Sequence, residues 1–199
     1  IGGGGHCRSC IDVIEATERY EIAGIVDLAA TTNRECLGYP WLGNDTDLLN
    51  LIMKYRSVLI TVGQVNSPNI RIELFEKLST LGAEFPVIVS PLAHVSRHAV
   101  VQRGTIVMHG AIINAGAHVG KNCIINSQAL VEHDASIGAH CHLSTGSKIN
   151  GDAHIEFGSF IGSGAVVHHG KRIQRRCIVG AGAVVAKNLA EGTTLQGSL

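Results

Sequence analysis

The chain reads VSRHAV VQRGTI VMHGAI INAGAH over residues 95–118, and this six-residue pattern continues to Val185. A strict six-residue period fits neither a 3.6-residue helix nor a simple alternating strand, and it is typical of hexapeptide β-helices. The residues that share the anchor register are all branched aliphatics: Val95, Val101, Val107, Ile113, Val119, Ile125, Val131, Ile137, Leu143, Ile149, Ile155, Ile161, Val167, Ile173, Val179 and Val185.

A second register lies four residues after each anchor and holds a small side chain almost everywhere. Only Lys171 and Leu189 break it. Three hexads make one triangular turn of about eighteen residues, and turns stack at the interstrand spacing of roughly 4.8 Å. The repeat therefore predicts a prism of about five turns with its anchors pointing inward.

The pattern changes near residue 90, which favours two domains in a chain of 199 residues. We predict a small α/β domain over residues 1–90 and a β-helix over residues 91–199, with Ser90-Pro91 at the junction. Alternating strand and helix patterns indicate a parallel, Rossmann-like arrangement in the first domain. The predicted elements are a strand end and turn at 1–6, helices at 9–20, 45–55 and 67–81, and strands at 21–27, 57–62 and 86–89.

Charge and cysteine content narrow the possible partners and compartments. Sixteen basic residues balance sixteen acidic ones, so nothing favours nucleic acid as a ligand. No apolar run is long enough for a membrane span, and no signal peptide is recognisable. Cys123, Cys141 and Cys177 fall in the small-residue register, which predicts buried fillers rather than disulfides and favours a reducing cytoplasm.

Three strand ends of the first domain carry candidate ligand-binding residues: Gly2–His6, Asp27 and Gly63-Gln64. Ligands of parallel α/β sheets bind at the carboxyl ends of strands, and glycines let backbone N–H groups approach a phosphate. A dinucleotide fingerprint would need a small residue where Cys7 stands, which argues against NAD. The alternatives are a tight turn without a ligand and, for Asp27, a helix cap or solvated turn residue.

His133 stands between Glu132 and Asp134, and His142 follows nine residues later, half a turn around the predicted prism. A carboxylate beside an imidazole fixes its tautomer and raises its basicity, which suits proton abstraction near neutral pH. His133 is therefore a candidate general base. The alternative interpretation is an ordinary surface histidine of the repeat.

These features together resemble the bacterial sugar acetyltransferases, which include sialic acid O-acetyltransferases and N-acetyltransferases of nucleotide-linked 4-amino-4,6-dideoxy sugars. The resemblance rests on the hexad repeat, the glycine turn Gly2–His6, and the segment Val131–Asp134 that leads to Ile137-Gly138 and His142. It covers nearly the whole chain.

The resemblance implies a left-handed parallel β-helix, a homotrimer, and acetyl-CoA bound between neighbouring prisms, with no metal. It implies His133 as the base, Asp134 as the acid that tunes it with Glu132 as a possible contributor, and Asn126 near the thioester. The implied cofactor-binding residues are His142, Gly162, Ser163, Gly164, Gly180 and Ala181, on corners whose small residues β-helix geometry alone would also explain. The implied substrate-binding residues are Gly3, Gly4, Gly5, His6, Asp27, Gly63 and Gln64.

The function expected from this resemblance is N-acetylation of the 4-amino group of a nucleotide-linked amino-deoxy sugar, with UDP favoured, in surface glycan or glycoprotein biosynthesis. Transfer would be direct, because no serine or cysteine near His133 suits an acyl carrier. The alternative is O-acetylation of sialic acid or a related sugar. Two lesser alternatives are a zinc hydro-lyase of the β-helix type, which would need two histidines five residues apart that the sequence lacks, and a non-enzymatic scaffold.

Overall fold

The computed structural model describes residues 1–27 and 35–197. Within these ranges, the N-terminal part holds three helices and three short strands, followed by the strands of a prism. Its elements are α1 (Gly5–Thr17), β1 (Ile25–Val26), β2 (Glu35–Cys36), β3 (Tyr39–Gly43), α2 (Leu48–Tyr55) and α3 (Asn69–Thr80). The prism strands are β4 (Ile88–Val89), β5 (His94–Val95), β6 (Val100–Val101), β7 (Ile106–Val107), β8 (Ile112–Ile113), β9 (His118–Val119), β10 (Ile124–Ile125), β11 (Leu130–Val131), β12 (Ser136–Ile137), β13 (His142–Leu143), β14 (Lys148–Ile149), β15 (His154–Ile155), β16 (Phe160–Ile161), β17 (Val166–Val167), β18 (Arg172–Ile173), β19 (Ile178–Val179), β20 (Val184–Val185) and β21 (Thr194–Leu195).

The prism consists of three parallel sheets, which the chain visits in turn. Sheet I contains β4, β7, β10, β13, β16, β19 and β21; sheet II contains β5, β8, β11, β14, β17 and β20; sheet III contains β6, β9, β12, β15 and β18. From β4 to β20 each strand pairs with the strand eighteen residues away, as Ile125 does with Leu143, and β21 pairs with β19 at a spacing of sixteen. The prism predicted from the repeat is confirmed, and so is the left-handed parallel β-helix that the resemblance implies.

The second residue of each strand points into the prism and forms one continuous core. From Val107 to Val185 the anchors are buried, and Cys123, Cys141 and Cys177 lie among them as free thiols. The prediction that these cysteines are fillers is confirmed. The ladder also extends beyond the predicted range, because Val89 already pairs with Val107 and Leu195 pairs with Val179.

From Val101 to Val179, each anchor is followed three positions later by a residue with left-handed backbone. Glycine takes many of these positions, but Asn122, Asp134 and His140 adopt the same conformation with φ of 54°, 61° and 59°. Asn and Asp tolerate this conformation better than most residues. Asp134 is thereby turned back towards the residue that precedes it.

The N-terminal sheet is mixed rather than parallel, which corrects the prediction. β1 runs parallel to β3, whereas β2 runs antiparallel to β3 through the turn Leu37-Gly38. In place of the predicted strand at residues 57–62, Ser57 forms an isolated parallel bridge with Glu84, and the Thr61 N–H donates to the carbonyl of Ile1 at 2.8 Å. Helix α1 begins at Gly5, inside the glycine turn, four residues earlier than predicted.

The N-terminal domain is seated on the outer face of sheet I. Cys10 and Val13 of α1 pack against Ile106, Met108 and Ile124, all of them buried. This contact places the glycine turn and residues 63–64 beside the middle of the prism. No helix in the described ranges is long and apolar enough to cross a membrane.

Candidate active site

His133 lies in the corner turn between sheet II and sheet III. Its Nδ1 is 2.9 Å from Oδ2 of Asp134, and its side chain is 60% exposed. A carboxylate only accepts hydrogen bonds, so Nδ1 carries the proton and Nε2 keeps its lone pair. The left-handed backbone of Asp134 is what brings the carboxylate back onto the ring.

Asp134 and Glu132 play different parts around this ring. The hydrogen bond that His133 donates to Asp134 is the main cause that raises the pKa of His133 above its usual value, and the charges of Asp134, Glu132 and Asp152 add to it. The Glu132 carboxylate instead accepts a hydrogen bond from Nδ2 of Asn114 at 2.9 Å. Of the two acids, Asp134 is therefore the direct partner of the imidazole.

Two glycines make room for this pair, and sequence reasoning missed both. A β-carbon on Gly151 would stand 2.7 Å from Nε2 of His133, and one on Gly116 would stand 2.4 Å from Oδ1 of Asp134. Each glycine lies eighteen residues from the group it faces, one turn of the prism away. The eighteen-residue spacing was the signal that could have identified them.

His142 belongs to a second cluster, on the outer face of sheet I beneath the N-terminal domain. It lies between Ile124 and Phe160 in the strand register and is 7% exposed. Its Nδ1 is 2.5 Å from the carbonyl oxygen of Gln64, so Nδ1 must donate. Burial lowers the pKa of His142 to about 4, although the Gln64 carbonyl opposes that shift, and the ring is neutral at physiological pH.

Asn126 faces the other nitrogen of the same ring. Its Oδ1 accepts the N–H of Ser127 at 2.8 Å, which turns Nδ2 towards Nε2 of His142 at 3.2 Å. Nε2 is the unprotonated nitrogen, so it accepts from this amide. Asn126 and His142 therefore form one oriented polar pair.

His6 and residues 63–64 complete this cluster. The ring of His6 is centred 6.4 Å from that of His142, and its Nε2 contacts the Sγ of Cys10 at 3.4 Å. Burial, followed by the charge of Arg71, lowers the pKa of His6 to about 4. The structure thus brings together five of the predicted site residues: His6, Gly63, Gln64, Asn126 and His142.

His133 does not join this cluster within one chain. Asn126 occupies the corner between sheets I and II, whereas His133 occupies the corner between sheets II and III. One face of the prism, roughly 15–20 Å wide at about 3.3 Å per residue, separates these two corners. His133 and His142 are half a turn apart, but they do not share an edge of the prism. His133 lies at the corner between sheets II and III, whereas His142 lies on sheet I.

The glycine turn is held from two sides. The N–H of Gly3 donates to Oδ2 of Asp27 at 2.6 Å, and a β-carbon on Gly3 would collide with the ring of Trp41. Gly4 and Gly5 are exposed at the N-terminus of α1, where no side chain of the described residues caps the helix. Uncapped N–H groups at a helix start favour an anion. Trp41 is a further residue of this region that the sequence did not reveal.

The predicted cofactor corner forms a column below Asn126 between sheets I and II. Ser163 Oγ lies 2.9 Å from Ser144 Oγ on this corner. A β-carbon on Gly162 or on Gly180 would stand 2.6 Å or less from backbone of the next turn, so stacking alone requires these glycines. The column also contains Gly164, two turns below Gln128, and Ala181, three turns below Ser127.

Comparison with known proteins adds to this geometry. Residues 1–78 match the PglD N-terminal domain family, whereas no curated protein matches the chain significantly. The solved structure of PerB from Caulobacter crescentus, in complex with CoA and GDP-perosamine, is 32% identical over 97% of this chain and 90% of that one, with a TM-score of 0.90. The acetyltransferase domain of PglB from Neisseria gonorrhoeae is 30% identical over 97% and 92%, with a TM-score of 0.88, and has also been solved with acetyl coenzyme A. WeeI from Acinetobacter baumannii is 25% identical over 98% and 94%, with a TM-score of 0.87.

The prism, the α/β region seated on one of its sheets and these matches together place the chain among the hexapeptide-repeat acyltransferases. A further match, described as a mutant of perosamine N-acetyltransferase from Caulobacter crescentus, is 32% identical over 97% of this chain and 90% of that one, with a TM-score of 0.91. The matched part of PglB is described as an acetyltransferase domain. The chain belongs to this family of hexapeptide-repeat sugar N-acetyltransferases. It is an acetyltransferase.

Proposed function

We propose that this enzyme transfers the acetyl group of acetyl-CoA to the 4-amino group of a nucleotide-linked amino-deoxy sugar. The observation that carries the proposal is the exposed imidazole of His133, whose Nδ1 is held by Asp134 so that Nε2 is left as a base. Two relatives bound to CoA with GDP-perosamine or to acetyl coenzyme A support the same chemistry.

The proposed reaction is a direct transfer, and the protein forms no covalent bond with the acetyl group. The neutral amine attacks the thioester carbonyl, a C–N bond forms, and Nε2 of His133 takes the proton released by the nitrogen. The tetrahedral intermediate then collapses, the C–S bond breaks, and the CoA thiolate takes up the proton. Asn126 or a backbone N–H stabilises the oxygen that becomes negative during the attack.

We place the acceptor-binding site at the interface between the two domains. Gly3, Gly4, Gly5 and His6 would hold the nucleotide-sugar, with Asp27, Gly63 and Gln64 at the neighbouring strand ends. Gln64 Oε1 is buried and has no hydrogen-bond partner among the described residues, which suits an acceptor that brings its own donors. The acetyl-CoA arm would run along Gly162, Ser163, Gly164, Gly180 and Ala181, with His142 at its thioester end.

We also propose a homotrimer in which two chains build each site. The outward residues of sheet II include Ile112 and Val184, which are 39% and 54% exposed. Between them in the register lie Leu130, the exposed Lys148 and Val166, so four of these five residues are apolar. Covering this row with a second prism would bury apolar surface. It would also bring the His133 corner of one copy towards the Asn126 corner of the next.

An acceptor panel tests the proposed reaction. Acetyl-CoA consumption is measured with a UDP-4-amino sugar, a GDP-4-amino sugar and free sialic acid at equal concentration. We expect turnover with a nucleotide-linked amine, and the UDP-linked acceptor is the predicted favourite. Turnover with sialic acid alone would replace the proposal with O-acetylation, and no turnover with any of the three would contradict it.

A further inference from the structure

Arg71 is a buried cation that joins the two domains. It lies on α3, is 1% exposed, and donates from Nη1 to the carbonyl oxygens of Ile60 at 2.8 Å and Val62 at 2.7 Å. Its Nη2 donates to Oδ1 of Asn122, in the prism, at 2.8 Å. Every hydrogen-bond acceptor that the described residues offer this guanidinium is a neutral oxygen. A buried charge held only by neutral groups is costly, so a structural role alone accounts poorly for it.

The guanidinium dictates the orientation of its neighbours in the prism. Because arginine can only donate, Asn122 must present Oδ1 to it and turn Nδ2 the other way. That amide nitrogen donates to the carbonyl of Arg71 at 3.1 Å and to Nδ1 of His140 at 2.9 Å. His140 is fixed in turn, and its carbonyl oxygen accepts Nε2 of Gln64 at 3.0 Å.

Gln64 is consequently held by Arg71 from two directions. Nη1 anchors Ile60 and Val62, the residues that lead into Gly63-Gln64, while Nη2 acts through Asn122 and His140 on the Gln64 side chain. The Gln64 carbonyl oxygen in turn accepts the hydrogen bond that Nδ1 of His142 donates. We infer that Arg71 is a positioning residue for the reaction, fixing Gln64 and, through its carbonyl, the seat and the Nδ1-protonated tautomer of His142.

The charge of Arg71 supports the same arrangement. Burial lowers the pKa of Arg71 itself to about 10, so it stays protonated at neutral pH. Burial is the main cause of the lowered pKa of both His142 and His6, and the positive charge of Arg71 lowers both pKa values further. For His6, the charge of His142 acts in the same direction. A neutral His142 is the form that can donate to Gln64 and accept from Asn126 at the same time. The catalytic part of this inference rests on the proposed function, whereas the state of His142 can be measured without it.

The test compares Arg71→Met with Arg176→Met. Arg176 also links α3 to the prism, through Asn69 Oδ1 at 2.8 Å, but it is exposed. We expect Arg71→Met to lower kcat by about tenfold to a hundredfold, since a displacement of about 1 Å can cost that much, and Arg176→Met to leave kcat unchanged. Long-range ¹H–¹⁵N NMR of the histidine rings should show loss of the single Nδ1-protonated tautomer of His142 only in Arg71→Met.

A second variant decides the case if Arg71→Met does not fold. Asn122→Asp keeps the size and the left-handed backbone of Asn122, accepts from Arg71, and neutralises its charge, but it cannot donate to His140. We expect a folded protein with lower kcat and a higher titration midpoint for His142. Native kcat together with native His142 signals in either folded variant would overturn the inference. If the wild-type protein transfers no acetyl group but the variants still show the NMR changes, only the proposed reaction is wrong. Arg71 would then remain the residue that fixes the tautomer of His142.

Discussion

The imidazole of His133 lies against Gly151, at a point where a β-carbon would stand 2.7 Å from Nε2 and 2.7 Å from Cε1. The two residues are one prism turn apart, so the next coil of the chain forms the wall of the base's seat. Nδ1 is held by Asp134 on one side of the ring. The conformation of the His133 side chain therefore depends on the absence of a side chain at Gly151 as much as on the hydrogen bond to Asp134.

Gly151→Ala is expected to lower kcat by about tenfold or more while the protein stays folded. The backbone of Gly151 is outside the left-handed region, so alanine is not strained there, and the new methyl group meets the end of a mobile side chain. The ring moves rather than the backbone, and misplacement of a catalytic group is costly. Steady-state kinetics and a thermal melt measure the two effects separately.

Gly120→Ala is the matched control for that substitution. Its β-carbon would stand 2.6 Å from the backbone nitrogen of Ala139, which cannot move without disturbing the turn. Overpacking of this kind costs about 1–3 kcal/mol, so the melting temperature should fall in this variant and stay near that of wild type in Gly151→Ala. A folded Gly151→Ala enzyme with full kcat would show that the seat of His133 does not matter.

His133→Ala should reduce turnover by at least about a hundredfold, the low end of typical acid–base contributions. The KM for acetyl-CoA should change little, because the side chain is exposed and its described partner is Asp134. His118→Ala provides the control, since His118 is an exposed histidine on the outer face of sheet III. Near-normal turnover of His133→Ala would remove this residue from the role of base.

The prism could be predicted from the sequence because every hexad carries its own signal. An aliphatic anchor and a small residue recur in each turn, so the strand pairing follows from counting eighteen residues. The β2–β3 hairpin escaped prediction for a local reason. Its turn uses Leu37 at φ of 53°, a conformation that sequence rules assign to Gly, Asn or Asp.

The site was predictable only where its partners are neighbours in the chain. His133 and Asp134 are adjacent, so their pairing could be expected from chemistry. Gln64 and His142 are 78 residues apart and meet only because α1 packs on sheet I. Neither periodicity nor composition encodes that docking, and the same holds for the contact of Arg71 with Asn122.

The acid limb of the pH–rate profile should report the base. The Asp134 hydrogen bond raises the pKa of His133 above the usual value of about 6.5, and a general base works only when unprotonated. Activity should therefore fall as the pH drops through a value above about 6.5 in the wild type. Asp134→Asn, which keeps the left-handed turn but removes the charge, should move this limb to lower pH and reduce kcat.

Glu132→Gln is the comparison variant for the pH experiment. Glu132 acts on the His133 imidazole through its charge, behind the contributions of Asp134, so a smaller shift of the acid limb is expected. Its other contact with His133 is the backbone N–H, which donates to Oε2 of Glu132 at 3.3 Å. Its contact with Asn114 can persist with glutamine at this position. Equal shifts in the two variants would mean that bulk negative charge, rather than the Asp134 hydrogen bond, sets the base.

Asn126→Ala should lower kcat/KM for acetyl-CoA by about tenfold to a hundredfold. Loss of a hydrogen-bond donor to the oxyanion has an effect of about this size. The substitution also removes the donor to Nε2 of His142. Ser127→Ala is a suitable control, because Ser127 contacts Asn126 through its backbone N–H. Unchanged kcat/KM in Asn126→Ala would place the thioester elsewhere.

Mixed trimers would show whether one site draws on two chains. His133 and Asn126 stand on different corners of the same prism, about one face apart, so neither can reach a substrate held by the other within one chain. Alone, His133→Ala should keep at most about a hundredth of the wild-type turnover, and Asn126→Ala about a tenth to a hundredth of the wild-type kcat/KM. If the corners of neighbouring copies form the site, then refolding the two variants together in equal amounts should restore about a quarter of the wild-type activity, because one site in four receives both intact residues. Refolding His133→Ala with itself controls for recovery of protein. Activity of the mixture no higher than that of the separate variants would mean that each chain builds its own site.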